Sequence, residues 1–362
     1  MNVLFVPHYS RRNPYQQSLA DALACFGVKV HIEIKVGEKI RPFCVYRTAK
    51  RIPGCRIVHI HWTKRLLLSE IPWRSVAKSC LFLLELLLLR LSGVKLVRTM
   101  HNIADHERYQ RRAQLFFNRL LLFLCNAVIV HCRGAWNEVV RTYGQKLMGK
   151  VTMVPHGHYI DHYENRIGRE FARNLLKIAP EDTVFLYFGA VRHYKGLPQL
   201  IKAFRRLRTT RVRLIIAGNP FDNSIRAEIE ACSEGDERIR TVLEFIPSEQ
   251  VQVYMNASDV VVLPFQDTLT SGSVILAMGF AKAIIAPQIG CVPDILNEKG
   301  AILYNQHSPG SLFEALEKAL QLDLESMGRY SFARVKKVDW KMVGETTYEV
   351  YQKCLGCRRV ET

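Results

Sequence analysis

Apolar residues fall in short dense runs along this chain, separated by longer stretches with apolar positions every three or four residues. The run Asn2-Val3-Leu4-Phe5-Val6-Pro7 is short, β-branched and closed by proline, which predicts a buried strand and not a charged leader followed by an apolar one. Runs of the same kind predict strands at 28–34, 57–62, 95–100, 127–131 and 151–155. Helical spacing predicts a helix from residue 14 or 15 to about 26, with Asn13 as its cap and proline in its first turn, and another around 136–143. After a polar stretch at 161–182 the pattern restarts, with strands at 183–188, 213–217, 260–264 and 283–286. Helices are expected at 197–208, from near Ser271, and at 340–354. Two more apolar segments, 81–89 and 115–130, are broken by Glu85 and by Asn118, Arg119 and Asn126. Neither reaches the roughly 20 residues a bilayer span needs. Buried or surface-lying helices are expected there, and a membrane contact that is basic and apolar on one face is the second reading.

Apolar strands alternating with helices predict an α/β protein of parallel sheets covered on both faces. At 362 residues the chain exceeds one ordinary core, and the restart near 183 divides it. The expected plan is two Rossmann-like domains, 1–165 and 166–339, followed by a helix and tail at 340–362 that crosses back. In such sheets, ligands bind beyond the carboxyl ends of the strands. Those ends carry His61, Trp62, His101, Asn102, His156 and His158 in the first half, and Gly189, Arg192, Lys195, Gly218, Asn219 and Pro264 in the second.

The formal charge of +18 favours an anionic partner: nucleic acid, lipid headgroups or a phosphorylated substrate. The basic residues are scattered and not interleaved with aromatics, so nucleic acid is set aside. Cys354 and Cys357 form a CxxC, but no second pair is placed to complete a zinc site.

Three local motifs carry chemistry. In Phe188-Gly189-Ala190-Val191-Arg192-His193-Tyr194-Lys195-Gly196, a strand ends, glycine turns the backbone and two cations precede a helix, an arrangement suited to a pyrophosphate. Thr270-Ser271-Gly272-Ser273 opens a second helix, whose N–H groups and hydroxyls can serve as a phosphate cradle or as a plain N-cap. His101-Asn102 with Asp105-His106-Glu107 puts acid–base groups at the mouth of a first-half strand. Missing motifs also discriminate. The chain has no GxGxxG and no GxxxxGK[ST], which disfavours nicotinamide dehydrogenases and P-loop NTPases. It has no DxD, so no metal site is assigned, and phosphate charge is left to Arg192, Lys195 and the Ser271–Gly272–Ser273 turn.

Taken together these segments resemble the GT-B glycosyltransferases of the broad GT4-type group, and more narrowly the xanthan-type β-mannosyltransferases. The likeness is carried in order from residue 13 to 351 by Asn13-Pro14-Tyr15, His59-Ile60-His61-Trp62, Val97 to Asn102, His106-Glu107, His156 to Tyr159, Arg192 with Tyr194-Lys195-Gly196, Gly218-Asn219-Pro220 and Ser271-Gly272. The resemblance implies two Rossmann-like domains with sheets facing across a cleft, the first binding acceptor and the second binding a nucleotide sugar. It also implies a metal-independent hexosyltransferase of exopolysaccharide or glycan assembly that needs no cofactor. GDP-mannose would be the donor, a polyprenyl-diphosphate-linked oligosaccharide the acceptor, and the anomeric carbon would invert. The expected location is cytoplasmic, peripheral on the inner face of the membrane and in contact with anionic lipid. Glu107 is the first choice of base, with His101 and His106 as rivals. Gly189, Arg192, Lys195, Gly218, Asn219, Ser271, Gly272 and Ser273 are expected at the donor, and Asn13, Tyr15, His61, Trp62, Asn102 and His158 at the acceptor. One departure stands out. Many retaining members carry two glutamates eight residues apart, where this chain has Leu269 and Ala277. Those apolar positions speak against retention, and they leave open a non-catalytic nucleotide-sugar-binding subunit.

Overall fold

The computed structural model describes residues 1–9, 13–33, 42–69, 71–103 and 110–356. It divides into two compact units, Met1–Gly157 with Val338–Thr362, and His158–Lys337. Asp105, His106, Glu107 and Cys357 lie outside the described residues.

Unit 1 is a six-stranded parallel sheet ordered β2-β1-β3-β4-β5-β6. Its strands are β1 (Asn2–Val6), β2 (Lys29–His31), β3 (Cys55–Ile60), β4 (Lys95–Thr99), β5 (Ala127–Val130) and β6 (Val151–Met153). Val3, Leu4, Phe5 and Val6 are wholly buried, as a strand covered on both faces requires. The helix Tyr15–Ala24 follows β1, and the final helix Trp340–Leu355 packs on it. Gly344 allows that approach, since a Cβ there would stand 2.8 Å from the Cβ of Ala22. Asp339 caps the final helix, accepting from the Met342 N–H at 2.8 Å. The chain end thus returns to unit 1, as expected of a crossing-back helix.

Unit 2 is a second six-stranded parallel sheet, ordered β9-β8-β7-β10-β11-β12. Its strands are β7 (Thr183–Phe188), β8 (Val212–Ala217), β9 (Ile239–Val242), β10 (Val260–Val262), β11 (Ala283–Pro287) and β12 (Ala301–Tyr304). Asp259 pins the base of this sheet. Its carboxylate accepts from Arg173 at 2.6 Å, Arg169 at 2.8 Å and the Val184 N–H at 2.7 Å.

The structure departs from the sequence reading in three places. Residues 115–130 are not one helix: Arg111–Leu124 is helical and β5 begins at Ala127. Asn126 makes the break, its side chain accepting from the Leu96 N–H at 3.0 Å. β9 and β12 were not anticipated, because they are short and β9 carries Arg240 and Thr241. The unit boundaries fall at 157/158 and 337/338 instead of 165/166 and 339/340. Tyr159 and Ile160 pack on the helix Gly272–Gly279 of unit 2, which ties the segment after 157 to that unit.

Candidate functional site

Each sheet has one point where strand order reverses, and loops leaving the two flanking strands part there to open a crevice. In unit 2 that point lies between β7 and β10, and in unit 1 between β1 and β3.

At the unit 2 switch point the lining is backbone. Gly189 has φ +136° and Gly218 φ +154°. A Cβ on Gly218 would lie 1.8 Å from the Gly189 carbonyl oxygen, so the loops after β7 and β8 touch main chain to main chain. Val191 N–H donates to Asn219 O and Phe221 N–H to Val191 O, each at 3.0 Å, lacing the two loops together. Gly196, at φ +70°, lets the helix Leu197–Arg205 start against the Pro264 carbonyl, where a Cβ would come within 2.1 Å.

Two cations stand on this frame. The Arg192 guanidinium lies 4.4 Å over the Phe221 ring, and the Lys195 ammonium lies 4.0 Å over the Phe265 ring. Lys195 is half-buried, and its ammonium makes no ion pair or hydrogen bond among the described residues. Burial first, and the Arg192 charge second, push its pKa down to about 7. A cation held by π-faces and crowded by a like charge is stabilised when an anion arrives. Ser271 is the N-cap of the helix Gly272–Gly279, its Oγ accepting from the Val274 N–H at 3.4 Å. The first-turn N–H groups of that helix have no carbonyl within it to bind, and Ser273 Oγ lies 3.1 Å from where a Gly189 Cβ would be. The expected residues Gly189, Arg192, Lys195, Gly218, Ser271 and Ser273 therefore meet at one crevice. Asn219, on the loop after β8, and Gly272, the first residue of the helix Gly272–Gly279, are exposed. Leu269 and Ala277 are buried apolar side chains with nothing to offer a hydroxyl. Phe221 and Phe265, the rings that hold the cations, were not singled out beforehand. Their only sequence signal is an aromatic within two residues of a strand-end proline or glycine.

At the unit 1 switch point the lining is rings. Tyr15 packs edge-on against His61, His101, His131, His156 and Trp340, at centroid distances of 4.8 to 5.8 Å. Trp62 stacks on His101 at 4.4 Å and 13°. His61 Nδ1 and His101 Nε2 are 3.3 Å apart, one ring donating to the other. Asn13 accepts from the Tyr15 N–H at 3.0 Å and sets the helix entry, although Pro14 occupies the cap position itself. Gln16, absent from the sequence-based candidates, is wholly buried. It donates to Pro7 O at 2.8 Å and accepts from the Tyr9 N–H at 2.7 Å.

Burial holds these imidazoles neutral. It pushes His59 and His131 down to about 3 and His156 to about 4, and neighbouring histidines add to the shift for His59 and His131. His61 and His101 are driven well below their ordinary value by burial, then by surrounding histidines and Arg98. His59 is spent on structure, bonded to Tyr351 Oη at 2.6 Å and Thr99 Oγ1 at 2.7 Å. His131 binds Val154 O through Nδ1 at 2.9 Å, and its Nε2 has no partner among the described residues. A neutral imidazole with an open lone pair can take a proton from a hydroxyl. Asn102 is half-buried on the loop after β4. His158, expected at the acceptor, is buried and is the first residue of unit 2.

Comparison with known proteins bears on both units. Residues 182–322 match the family model described as "Glycosyl transferases group 1". Over 353 residues, the chain is 25% identical to GDP-mannose:glycolipid 4-beta-D-mannosyltransferase of Xanthomonas campestris pv. campestris, covering 95% of this chain and 89% of that enzyme. Sucrose-phosphate synthase of Thermosynechococcus elongatus superposes with a TM-score of 0.77 at 17% identity, over 99% of both chains. Anabaena HepE, solved in complex with UDP and glucose, superposes with a TM-score of 0.76 at 14% identity, over 98% of this chain and 100% of that one. The fold is that of the GT-B glycosyltransferases.

Proposed function

We propose that this chain, a glycosyltransferase whose residues 182–322 carry the group 1 domain, transfers mannose from GDP-mannose to a lipid-linked oligosaccharide with inversion. The observation that carries the reading is Lys195, paired with no carboxylate among the described residues, beside Arg192 at the unit 2 switch point. The name of the Xanthomonas relative supports mannose, GDP and a glycolipid acceptor.

In this reading the donor's diphosphate lies on Arg192, Lys195 and the first turn of Gly272–Gly279. A base of unit 1 removes the proton from an acceptor hydroxyl. Glu107 and His106 are candidates outside the described residues, and His101 is the described one. The hydroxyl oxygen attacks the anomeric carbon from the face opposite the leaving group. The bond from that carbon to the phosphate oxygen breaks, and GDP leaves with its added negative charge. Fixed cations and the helix N-terminus stabilise that charge where it develops, so the proposed chemistry calls on no metal. Asn13, Tyr15, His61, Trp62 and Asn102 would orient the sugar acceptor. Leu269 and Ala277 fit a reaction without the retaining enzymes' paired glutamates.

The test is to offer the purified chain labelled GDP-mannose, UDP-glucose and UDP-N-acetylglucosamine, with a bacterial lipid extract as acceptor. Label in the lipid fraction from GDP-mannose alone is the expected result. Transfer from a uridine donor would move the donor assignment. GDP binding without transfer or hydrolysis would favour a non-catalytic binding subunit.

A further inference from the structure

A second basic cavity lies within unit 2, beyond the carboxyl ends of β10 and β12. The helix Leu197–Arg205 turns Leu200, Ile201 and Phe204 into the core and leaves Gln199, Lys202 and the following Arg206 on the outside. The helix Ser311–Ala319 packs alongside it. Between these helices and the loops that follow β10 and β12 is a cavity of about 500 Å³, ample for a small ligand. The crevice between β7 and β10 is a different place, since none of Gly189, Arg192, Lys195, Gly218 and Ser271 is in this lining. Phe265 is common to both: it carries the Lys195 ammonium and walls this cavity.

Three features of the lining select a ligand. First, its charged side chains are Lys202 and Arg206, and it contains no carboxylate among the described residues. The two cations stand four residues apart at the end of one helix, where like charges repel. The Arg206 guanidinium lies 4.0 Å over the Phe313 ring and makes no hydrogen bond or ion pair among the described residues. Stacked in this way, a guanidinium keeps its N–H donors for a phosphate. Second, Gln306 Oε1 is buried and has no donor among the described residues. Its amide nitrogen is 3.4 Å from His307 Nε2, which leaves the oxygen as the open acceptor. Buried acceptors without a donor are rare, and a ligand hydroxyl would supply one. Third, the buried rings of Phe265 and Tyr304 offer apolar surface to the C–H face of a sugar. We propose that this cavity binds a phosphorylated sugar, its phosphate on Lys202 and Arg206, a hydroxyl donating to Gln306 and its ring against Phe265 and Tyr304. The proposal goes beyond the glycosyl transfer reading and concerns a site apart from the donor crevice.

The test is calorimetric titration with mannose 6-phosphate and glucose 6-phosphate, against inorganic phosphate and free mannose, in protein saturated with GDP. A hexose phosphate is expected to bind with GDP in place, about tenfold or more tightly than inorganic phosphate, and free mannose to give no heat. Lys202→Gln with Arg206→Gln should weaken that binding about tenfold or more and leave the melting temperature and GDP affinity unchanged. Gln306→Leu should bring the hexose phosphate down to the affinity of inorganic phosphate. Lys195→Ala, on the donor crevice, should bind the hexose phosphate as the parent does, and this arm needs no GDP. The proposal is overturned if neither hexose phosphate binds, if GDP or Lys195→Ala removes the binding, or if the double variant binds undiminished. It is also overturned if inorganic phosphate binds as tightly, which would leave an adventitious ion only. None of these results bears on transfer from GDP-mannose, so the two readings fail separately.

Discussion

Past β1 and β3, unit 1 gathers four histidines around one tyrosine; past β7 and β10, unit 2 gathers glycines and two cations. The same topological device is filled in opposite ways, as the proposed function requires if the two halves meet opposite chemistry. A diphosphate needs close approach and positive charge, and unit 2 offers both: side chains are removed (a Cβ at Gly218 would strike Gly189 O), and Lys195 has no counter-ion among the described residues. A sugar hydroxyl needs flat apolar faces and a neutral proton acceptor. Unit 1 supplies rings, and burial keeps their nitrogens uncharged.

Acid should separate the units most strongly. His59, His131 and His156 hold folded pKa values of about 3 to 4, against an ordinary value of 6.5, and His61 and His101 are shifted the same way. Between pH 6.5 and about 4 the unfolded chain binds protons that the folded one refuses. Stability present above 6.5 is therefore lost as pH falls, by up to about 1.4 kcal/mol per unit for each histidine. In unit 2, Asp236 is lowered by its bonds to Arg238, and its contribution disappears only below about 3.8. Hydrogen exchange followed from pH 7 to pH 4 should show unit 1 opening first. Simultaneous opening would remove the distinction.

Gly218→Ala comes next. It forces the 1.8 Å contact and a positive φ on a side chain, and should cost more than about 3 kcal/mol, read as a lower melting temperature and loss of GDP binding. His101→Gln should lower kcat about 10²- to 10⁴-fold if its imidazole takes the proton, with GDP affinity unchanged in calorimetry. An unaltered kcat would transfer the role to Glu107 or His106. Ser271→Ala is the mildest, removing a single cap for about 1 kcal/mol, visible as a small fall in thermal stability.

What was legible beforehand was local. β7, Gly189, Arg192, Lys195 and the following helix lie within one short stretch, so a strand–glycine–cation–helix order could be read directly. The core strands were legible because parallel sheets demand unbroken apolar runs. The ring cluster was not, since His61, His101, His131 and His156 follow four different strands and meet only through the register of β3 to β6. Nor were Phe221 and Phe265, whose role as cation supports depends on loops brought together by main-chain bonds. His158, two residues beyond His156, begins unit 2, a boundary the run His156-Gly157-His158 does not reveal. The apolar helices read as surface-lying, but which side of Pro72–Leu91 faces water appeared only in the structure, where Phe82, Leu86 and Leu89 are buried and Trp73, Leu84 and Leu91 exposed.

Calorimetric titration with GDP at pH 8, in two buffers of different ionisation enthalpy, tests the central claim most directly. Free Lys195, with its pKa near 7, is mostly neutral at pH 8. A diphosphate raises that pKa, so binding should draw in close to one proton and weaken as pH climbs above 7. Lys195→Ala should take up none and bind about 1.5–3 kcal/mol more weakly. Equal proton uptake and equal affinity in parent and variant would contradict the account.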